Sequence, residues 1–158
     1  MMRLVVLSDS HGDVASFQMA IKNEPSADAV IFLGDGLTDF EYCENILKDK
    51  VTIAVRGNCD RYFPAFNKNE IAVFGGKKIY CTHGDNEQVK FGMGRLREKA
   101  KEQGCDIVLF GHTHNPLTEY TDGIYYMNPG SVRQNSYGIV DIMPNGVMCF
   151  HKKIVSSY

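Results

Sequence analysis

The 158-residue chain is 44% hydrophobic, enough apolar content for one ordinary core, and we expect a single domain over residues 1–158. Its formal charge of −2 arises from 17 basic and 19 acidic residues, so no long-range positive field would recruit a polyanion and no nucleic-acid partner is expected. The five cysteines are widely spaced without a CxxC pair, which argues against a disulfide framework or a thiolate zinc site and favours a cytoplasmic location. No apolar run approaches the length of a membrane span, so no membrane partner is expected.

The first half of the chain alternates short apolar runs with segments of helical periodicity. The apolar runs are residues 4–7, 29–33 and 51–55. One helix is predicted from the spacing of Val14, Phe17 and Ile21, and a second from Phe40, Cys43 and Leu47. Strands separated by helices in this way predict parallel pairing through right-handed crossovers.

The second half has a different pattern, typical of antiparallel strands. Runs 71–74 and 78–81 flank Gly75-Gly76, a pair suited to the positive φ angles of a tight hairpin. A third helix is predicted from Val89, Met93, Leu96 and Ala100, followed by strands at 107–110, 117–120, 124–127, 137–142 and 147–150, with turns at Asp122-Gly123 and Asn145-Gly146. The predicted fold class is α/β, with two packed mixed β-sheets flanked by helices.

Polar side chains that can bind metal ions follow the apolar runs. They stand in the segments SDSHGD, LGDG, RGNCD, THGD and GHTH and comprise Asp9, His11, Asp35, Asn58, His83, His112 and His114. Because ligands bind beyond the carboxyl ends of strands in open α/β sheets, we expect these loops to converge on one mouth. Carboxylate, amide and imidazole donors together suit Mn, Fe, Zn, Ni or Co better than Ca or Mg.

Each of these residues has an ordinary structural interpretation when it is taken alone. An aspartate at a strand end can cap a helix, and a lone histidine is more often a hydrogen-bonded structural residue than a ligand. The Asp9-x-His11 and His112-x-His114 pairs would place alternate residues on one side of an extended segment, so that both members of each pair bind metal. The joint occurrence of all seven residues favours the metal site.

The five segments, in this order, resemble the calcineurin-like metallophosphoesterases, in particular their small bacterial and archaeal phosphodiesterase branch. The resemblance covers residues 4–114, with a further match at residues 128–131 (NPGS), and implies a four-layer sandwich. It also implies two divalent ions, with Mn favoured. One ion would be held by Asp9, His11, Asp35 and His114, and the other by Asp35, Asn58, His83 and His112, so that Asp35 bridges them.

This resemblance implies a phosphoesterase acting on a small phosphate ester. Two cations about 3.5 to 4 Å apart can deprotonate a shared water, and the resulting bridging hydroxide would attack phosphorus, while Asn58 helps to stabilise the charge on the phosphoryl oxygens. Many larger family members carry G-N-H-E where this chain has Gly57-Asn58-Cys59-Asp60, so the histidine proposed as the leaving-group acid is missing. Asp60 is the remaining candidate for that role, and would have to be protonated near neutral pH.

A phosphodiesterase is the leading hypothesis, with phosphomonoesters as a close variant. The alternative is a non-catalytic scaffold or protein-binding module like the retromer subunit that shares this fold, and a DNA nuclease ranks last because of the acidic charge balance. An apolar patch on the final strands would support a homo-oligomer.

Four smaller expectations concern the surroundings of the site. Cys59 is expected to be a packed side chain without a covalent role, and residues 61–66 a packed loop rather than a flap over the substrate. The segment 128–131 is placed outside the site, and His151 on the surface. The glycines beside the ligands are read as turns that also admit substrate close to the backbone.

Overall fold

The computed structural model describes residues 1–156. Its two five-stranded sheets have the strand orders β10-β9-β1-β2-β3 and β4-β5-β6-β8-β7. The first sheet comprises β1 (Met2–Leu7), β2 (Ala29–Phe32), β3 (Val51–Ala54), β9 (Ser136–Met143) and β10 (Gly146–Lys153). The second comprises β4 (Asn69–Phe74), β5 (Lys77–Thr82), β6 (Ile107–Leu109), β7 (Leu117–Thr121) and β8 (Ile124–Asn128).

Both sheets are mixed, as predicted. In the first, β1 pairs in parallel with β2 and β2 with β3, whereas β9 runs antiparallel to β1. In the second, β5, β6 and β8 are parallel, and β4 and β7 are antiparallel edge strands. The parallel strands bring their carboxyl ends to the same edge of each sheet.

The core lies between the two sheets and is continued on their outer faces. Alternation along β1 places Leu4 and Val6 against residues of the second sheet such as Ile79, while Val5 and Leu7 face the other way, towards the helices. The helices α1 (Val14–Lys22), α2 (Leu37–Tyr42) and α3 (Glu44–Leu47) cover the first sheet, and α4 (Gly94–Gln103) covers the second. The predicted four-layer order, helix, sheet, sheet, helix, is confirmed.

Several elements differ from the prediction in detail. The second predicted helix is two short helices, with Cys43 between them at φ −92° and ψ 9°. The third begins as a single 3₁₀ turn, Val89–Phe91, and breaks at Gly92, whose φ of 139° is incompatible with a helix, before α4 starts at Gly94. No helix among residues 1–156 is long and apolar enough to cross a membrane.

Two of the predicted hairpin turns are found and one is displaced. Gly75 and Gly76 have φ angles of 55° and 79°, and Asp122 and Gly123 have 53° and 79°, as the mirror-image turns of hairpins require. The last turn is not at Asn145-Gly146, because Gly146 already pairs with Met143. Its two loop residues are those at 144 and 145.

Candidate metal centre

The predicted ligands meet at one edge of the two sheets. Asp9 and His11 follow β1, Asp35 follows β2, Asn58 follows β3, His83 follows β5, and His112 and His114 follow β6. Asp9, Asp35 and His83 are buried, whereas His11, His112 and His114 are partly exposed at the rim. The expected convergence of the strand ends is therefore present in the structure.

The loops that carry these residues are not extended, which corrects the prediction for the two alternating pairs. Left-handed φ angles occur at Asp9 (56°), His11 (44°), Asp35 (59°), His112 (71°) and His114 (64°). Such angles cost a non-glycine residue roughly 1–2 kcal/mol. Their concentration on candidate ligands is typical of a functional site, where strain persists because the surrounding contacts enforce it.

Asp9 anchors the first group of ligands. Its Oδ2 accepts hydrogen bonds from the Ser8 hydroxyl (2.6 Å) and the His112 backbone N–H (3.1 Å). Its Oδ1 is buried without a hydrogen-bond partner among residues 1–156. This oxygen faces Nε2 of His114 at 3.2 Å and Nε2 of His11 at 3.5 Å. A buried anionic oxygen aimed at two imidazole nitrogens is the arrangement that a cation would satisfy.

His83 and His112 form the second group with Asp35. The Nε2 atom of His83 lies 3.2 Å from Asp35 Oδ2 and 3.2 Å from His112 Nδ1. The other ring nitrogen of His83 lies 2.7 Å from the Leu33 carbonyl oxygen, to which it would donate. A histidine held in this way presents its Nε2 to a metal, with its orientation fixed by the backbone.

Asp35 lies between the two groups. Its Oδ1 accepts a hydrogen bond from the Cys59 backbone N–H (2.8 Å). Its Oδ2 is 3.2 Å from His83 Nε2 and 3.8 Å from His11 Nε2. One carboxylate oxygen is therefore directed at both groups, and their oxygen and nitrogen donors fit borderline divalent cations.

The ionisable side chains of the site shift one another's pKa values. Burial would raise the pKa of Asp35, but its hydrogen bond and Coulomb attraction to His83 outweigh burial and hold the pKa at about 2. Burial would lower the pKa of His83, yet Asp35 and Asp9 raise it to about 9. The pKa of His112 is lowered by burial and by the neighbouring His83 charge. When no metal is bound, His83 therefore carries a proton near neutral pH and pairs with Asp35.

This proton predicts the pH dependence of metal binding. Because His83 must lose its proton before Nε2 can bind a cation, the affinity for Mn should rise about tenfold per pH unit from pH 7 to 9 and level off above pH 9. Competition with a chelating indicator of known pKa would measure the slope. The His83→Gln variant should bind more weakly and lose the slope, whereas an equal slope in both proteins would contradict this assignment.

Asp60 does not have the environment of a leaving-group acid. It is buried, and its two carboxylate oxygens accept hydrogen bonds from four backbone N–H groups, those of Asp35, Gly36, Leu37 and Gly57, at 2.7 to 3.0 Å. Both oxygens are used in fixing the loop that presents Asp35. The sequence suggested Asp60 as the leaving-group acid and carried no signal for its hydrogen bonds to the Asp35 loop.

Cys59 is exposed, which corrects the prediction of a packed side chain. Its Sγ accepts a hydrogen bond from the Asn58 amide at 3.6 Å, and lies within 4.8 Å of ligand atoms of His11 and Asp35. Partial desolvation, and after it the charge of Asp35, raises the pKa of the thiol. Asn58 is also exposed, so its amide is available at the mouth of the site.

The segment 128–131 belongs to the walls of the site and not outside it. Asn128 donates from its amide to Gly111 O (3.0 Å) and Thr113 Oγ1 (2.9 Å), which fixes the loop carrying His112 and His114. The Ser131 hydroxyl donates to the backbone oxygen of Asp9 (2.7 Å). Its NPGS composition indicated a turn, and the family resemblance was the one signal for this position.

Other expectations for the surroundings have mixed outcomes. Asp39, which the sequence analysis missed, accepts hydrogen bonds from the Ser10 hydroxyl (2.6 Å) and the Gly12 N–H (2.9 Å) on either side of His11.

His151 is partly buried and its Nε2 lies 2.8 Å from the Asn128 carbonyl oxygen, so its surface assignment is wrong. Residues 61–66 form the expected packed loop: two of its phenylalanines pack on the core, although its tyrosine is 91% exposed.

The glycines between the ligands allow the loops to approach each other. A Cβ atom on Gly57 would lie 2.2 Å from Asp35 Oδ1, and one on Gly111 would lie 2.1 Å from Ser8 Oγ and 2.8 Å from Asp9 Oδ2. Gly57 and Gly111 therefore allow close contact between ligand loops, and the approach of substrate to the backbone stays a prediction.

Replacing Gly57 with alanine should displace Asp35. We expect the affinity for Mn to fall by about 10- to 100-fold and the free energy of unfolding to fall by about 1–3 kcal/mol, measured by metal titration and urea unfolding. Gly146→Ala is the matched control, because a Cβ there meets no atom within 4 Å. Unchanged metal affinity in Gly57→Ala would show that this contact does not position the ligand.

Comparisons with known proteins identify the family. Residues 2–144 match the model of the calcineurin-like phosphoesterase superfamily domain. The chain belongs to this superfamily. It is 32% identical over 133 residues to a probable metallophosphoesterase of Bacillus subtilis, YsnB, with 84% of this chain and 76% of the relative covered. It is 30% identical over 170 aligned positions to the phosphodiesterase YfcE of Escherichia coli, with 89% and 88% covered.

Among solved structures, the fold is similar to that of Vps29 from Entamoeba histolytica in complex with zinc, with a TM-score of 0.72, 21% identity, and 98% and 100% of the two chains covered. The similarity to YsnB and YfcE places the chain in the small bacterial and archaeal branch of the superfamily. It is a phosphoesterase by homology, with aspartate and histidine groups suited to divalent metal ions.

Proposed function

We propose that the protein is a phosphodiesterase that hydrolyses a small phosphate diester with two divalent ions, Mn first among the candidates. The observation that carries this proposal is the pair of ligand groups that share Asp35 Oδ2 between His11 and His83. When bound, two such ions lower the pKa of a water molecule and offset charge on the phosphoryl group. The similarity to the phosphodiesterase YfcE supports a diester as substrate.

The protein's own side chains have distinct roles in this proposal. Asp9, His11, Asp35 and His114 would hold one ion, and Asp35, Asn58, His83 and His112 the other. Substrate would enter from the rim, where the side chains of His11 and His114 are 23% and 34% exposed, while Asp9 and His83 close the interior. From its exposed position, the Asn58 amide would donate to a phosphoryl oxygen and stabilise developing charge.

Leaving-group protonation has no evident donor in this arrangement. Asp60 is committed to backbone N–H groups, and the raised pKa of Cys59 makes its thiol a poor acid. We therefore expect kcat/KM to depend strongly on the pKa of the leaving group. A plot of log kcat/KM for aryl and alkyl diesters against leaving-group pKa should fall steeply, and a flat plot would reveal an efficient general acid.

A direct assay tests the proposed activity. Metal-free protein reconstituted with Mn should cleave bis(4-nitrophenyl) phosphate faster than 4-nitrophenyl phosphate, and chelation should abolish both reactions. Faster cleavage of the monoester would assign the protein to phosphomonoesters. No cleavage of either ester with Mn, Fe, Zn, Ni or Co would reject catalysis.

The second candidate function is a non-catalytic scaffold, favoured by the fold similarity to Vps29. The enzyme ranks first because the aspartates and histidines of both groups are present and face one another. Stoichiometric metal binding without hydrolysis of any ester would favour the scaffold.

The free cysteines support the cytoplasmic location we propose.

A further inference from the structure

A cavity of about 400 Å³ opens beside the first ligand group. It is lined by His11 and His114 on one side and by Ser131, Arg133 and Gln134 on the other. These five side chains include one guanidinium, one amide and two imidazoles but no carboxylate. Since a water molecule occupies about 30 Å³, the cavity has room for far more than one phosphoryl oxygen. It can accept a whole substituent of the diester.

The wall that carries Arg133 is fixed to the metal-binding loop. Residues Val132–Gln134 form a single 3₁₀ turn. The Val132 N–H donates to Ser8 O at 2.9 Å, and the buried Ser131 hydroxyl donates to Asp9 O at 2.7 Å. The position of the turn is therefore set relative to Asp9, so that groups on the turn are placed before substrate arrives.

Arg133 is available for a ligand. Within the described part of the chain Arg133 forms no salt bridge, unlike Arg3 and Arg97, which pair with Asp141 and Glu119 at 2.8 Å. Three further arginines, Arg56, Arg61 and Arg95, form none either among residues 1–156, but Arg133 is the one that lines this cavity. Its side chain is exposed at the cavity, beside the exposed amide of Gln134. The planar guanidinium can bind a carboxylate or phosphate through two parallel hydrogen bonds.

We infer that Arg133, with Gln134, binds a second anionic group on the substrate, so that the preferred diesters carry a carboxylate or phosphate in addition to the scissile phosphate. This inference rests on the proposed function for the position of the scissile group. The scissile phosphate would lie between the two ligand groups, whereas the cavity extends from His11 and His114 towards Arg133.

Paired synthetic esters test the subsite. The 4-nitrophenyl 2-carboxyethyl and 4-nitrophenyl ethyl phosphodiesters share one leaving group and differ in the second anion. The wild-type protein should prefer the carboxyethyl ester by at least about tenfold in kcat/KM, and Arg133→Gln should remove most of that preference. The matched control is Arg95→Gln, an exposed arginine on α4, which should keep the wild-type ratio. An unchanged ratio in Arg133→Gln would overturn the inference.

A binding measurement separates failure of the subsite from failure of the proposed function. In calorimetric titrations of Mn-loaded protein, 3-phosphonopropionate should bind at least about tenfold more tightly than ethylphosphonate, and Arg133→Gln should abolish the difference. If the wild-type protein cleaves neither ester but shows this difference, the phosphodiesterase proposal fails and the anion subsite stands. Equal affinity for the two phosphonates, or no binding of either, would reject the subsite.

Discussion

Replacing Asp35 with asparagine is expected to reduce Mn-dependent diester hydrolysis by on the order of 10³-fold. The Oδ2 atom of Asp35 is directed at both ligand groups, 3.2 Å from His83 and 3.8 Å from His11. An amide at this position has no negative charge to share between two cations. We therefore expect the variant to bind fewer than two ions per chain, measured by elemental analysis after gel filtration.

The control for this experiment is Asp49→Asn, which makes the same chemical change at an exposed position. It should retain wild-type metal content and activity. If Asp35→Asn kept two ions and full activity, Asp35 would not be the shared ligand, and the division of the site into two groups would need another explanation.

Replacing Asp60 with alanine is expected to have the second largest effect, on the free energy of unfolding and on metal affinity together. The substitution removes the acceptor of four backbone N–H groups. Each buried group left unsatisfied costs about 1–3 kcal/mol, so a loss of at least about 3 kcal/mol is expected in urea unfolding. Asp106→Ala is the control, because the carboxylate of Asp106 accepts one backbone N–H, that of Lys78, at the opposite end of β6.

A conservative variant distinguishes this positioning role from acid catalysis. Asp60→Asn should weaken metal binding and raise the Mn concentration needed for half-maximal activity. The shape of the pH–rate profile at saturating Mn should stay the same. If Asp60 were the leaving-group acid, the basic limb of that profile would disappear in Asp60→Asn and the loss would be largest for poor leaving groups.

The convergence of the candidate ligands could be predicted from sequence because its signal is local. Each candidate follows an apolar run, and parallel strands bring such positions to one edge. The division into two groups came from the family resemblance alone. The structure brings Asp9 together with His11 and His114, and Asp35 together with His83 and His112. A third cluster of His11, Asp35 and Cys59 links the two, as expected if Asp35 lies between them.

Other features of the site depend on contacts between distant loops and have no local signal. The backbone of Asp9 and His114 is left-handed, although alternation in sequence suggested extended segments. Asp60 looked like a functional acid because it follows Asn58 in the motif, yet its carboxylate is directed at backbone 23 to 25 residues earlier. Only the assembled loops show which partners such a group has.

Diffraction at the manganese absorption edge from crystals of Mn-reconstituted protein tests the central claim most directly. We expect two anomalous peaks about 3.5 to 4 Å apart, one among Asp9, His11 and His114 and the other beside His83 and His112, with Asp35 between them. A single peak, or peaks away from these side chains, would contradict the two-ion site on which the proposed function depends.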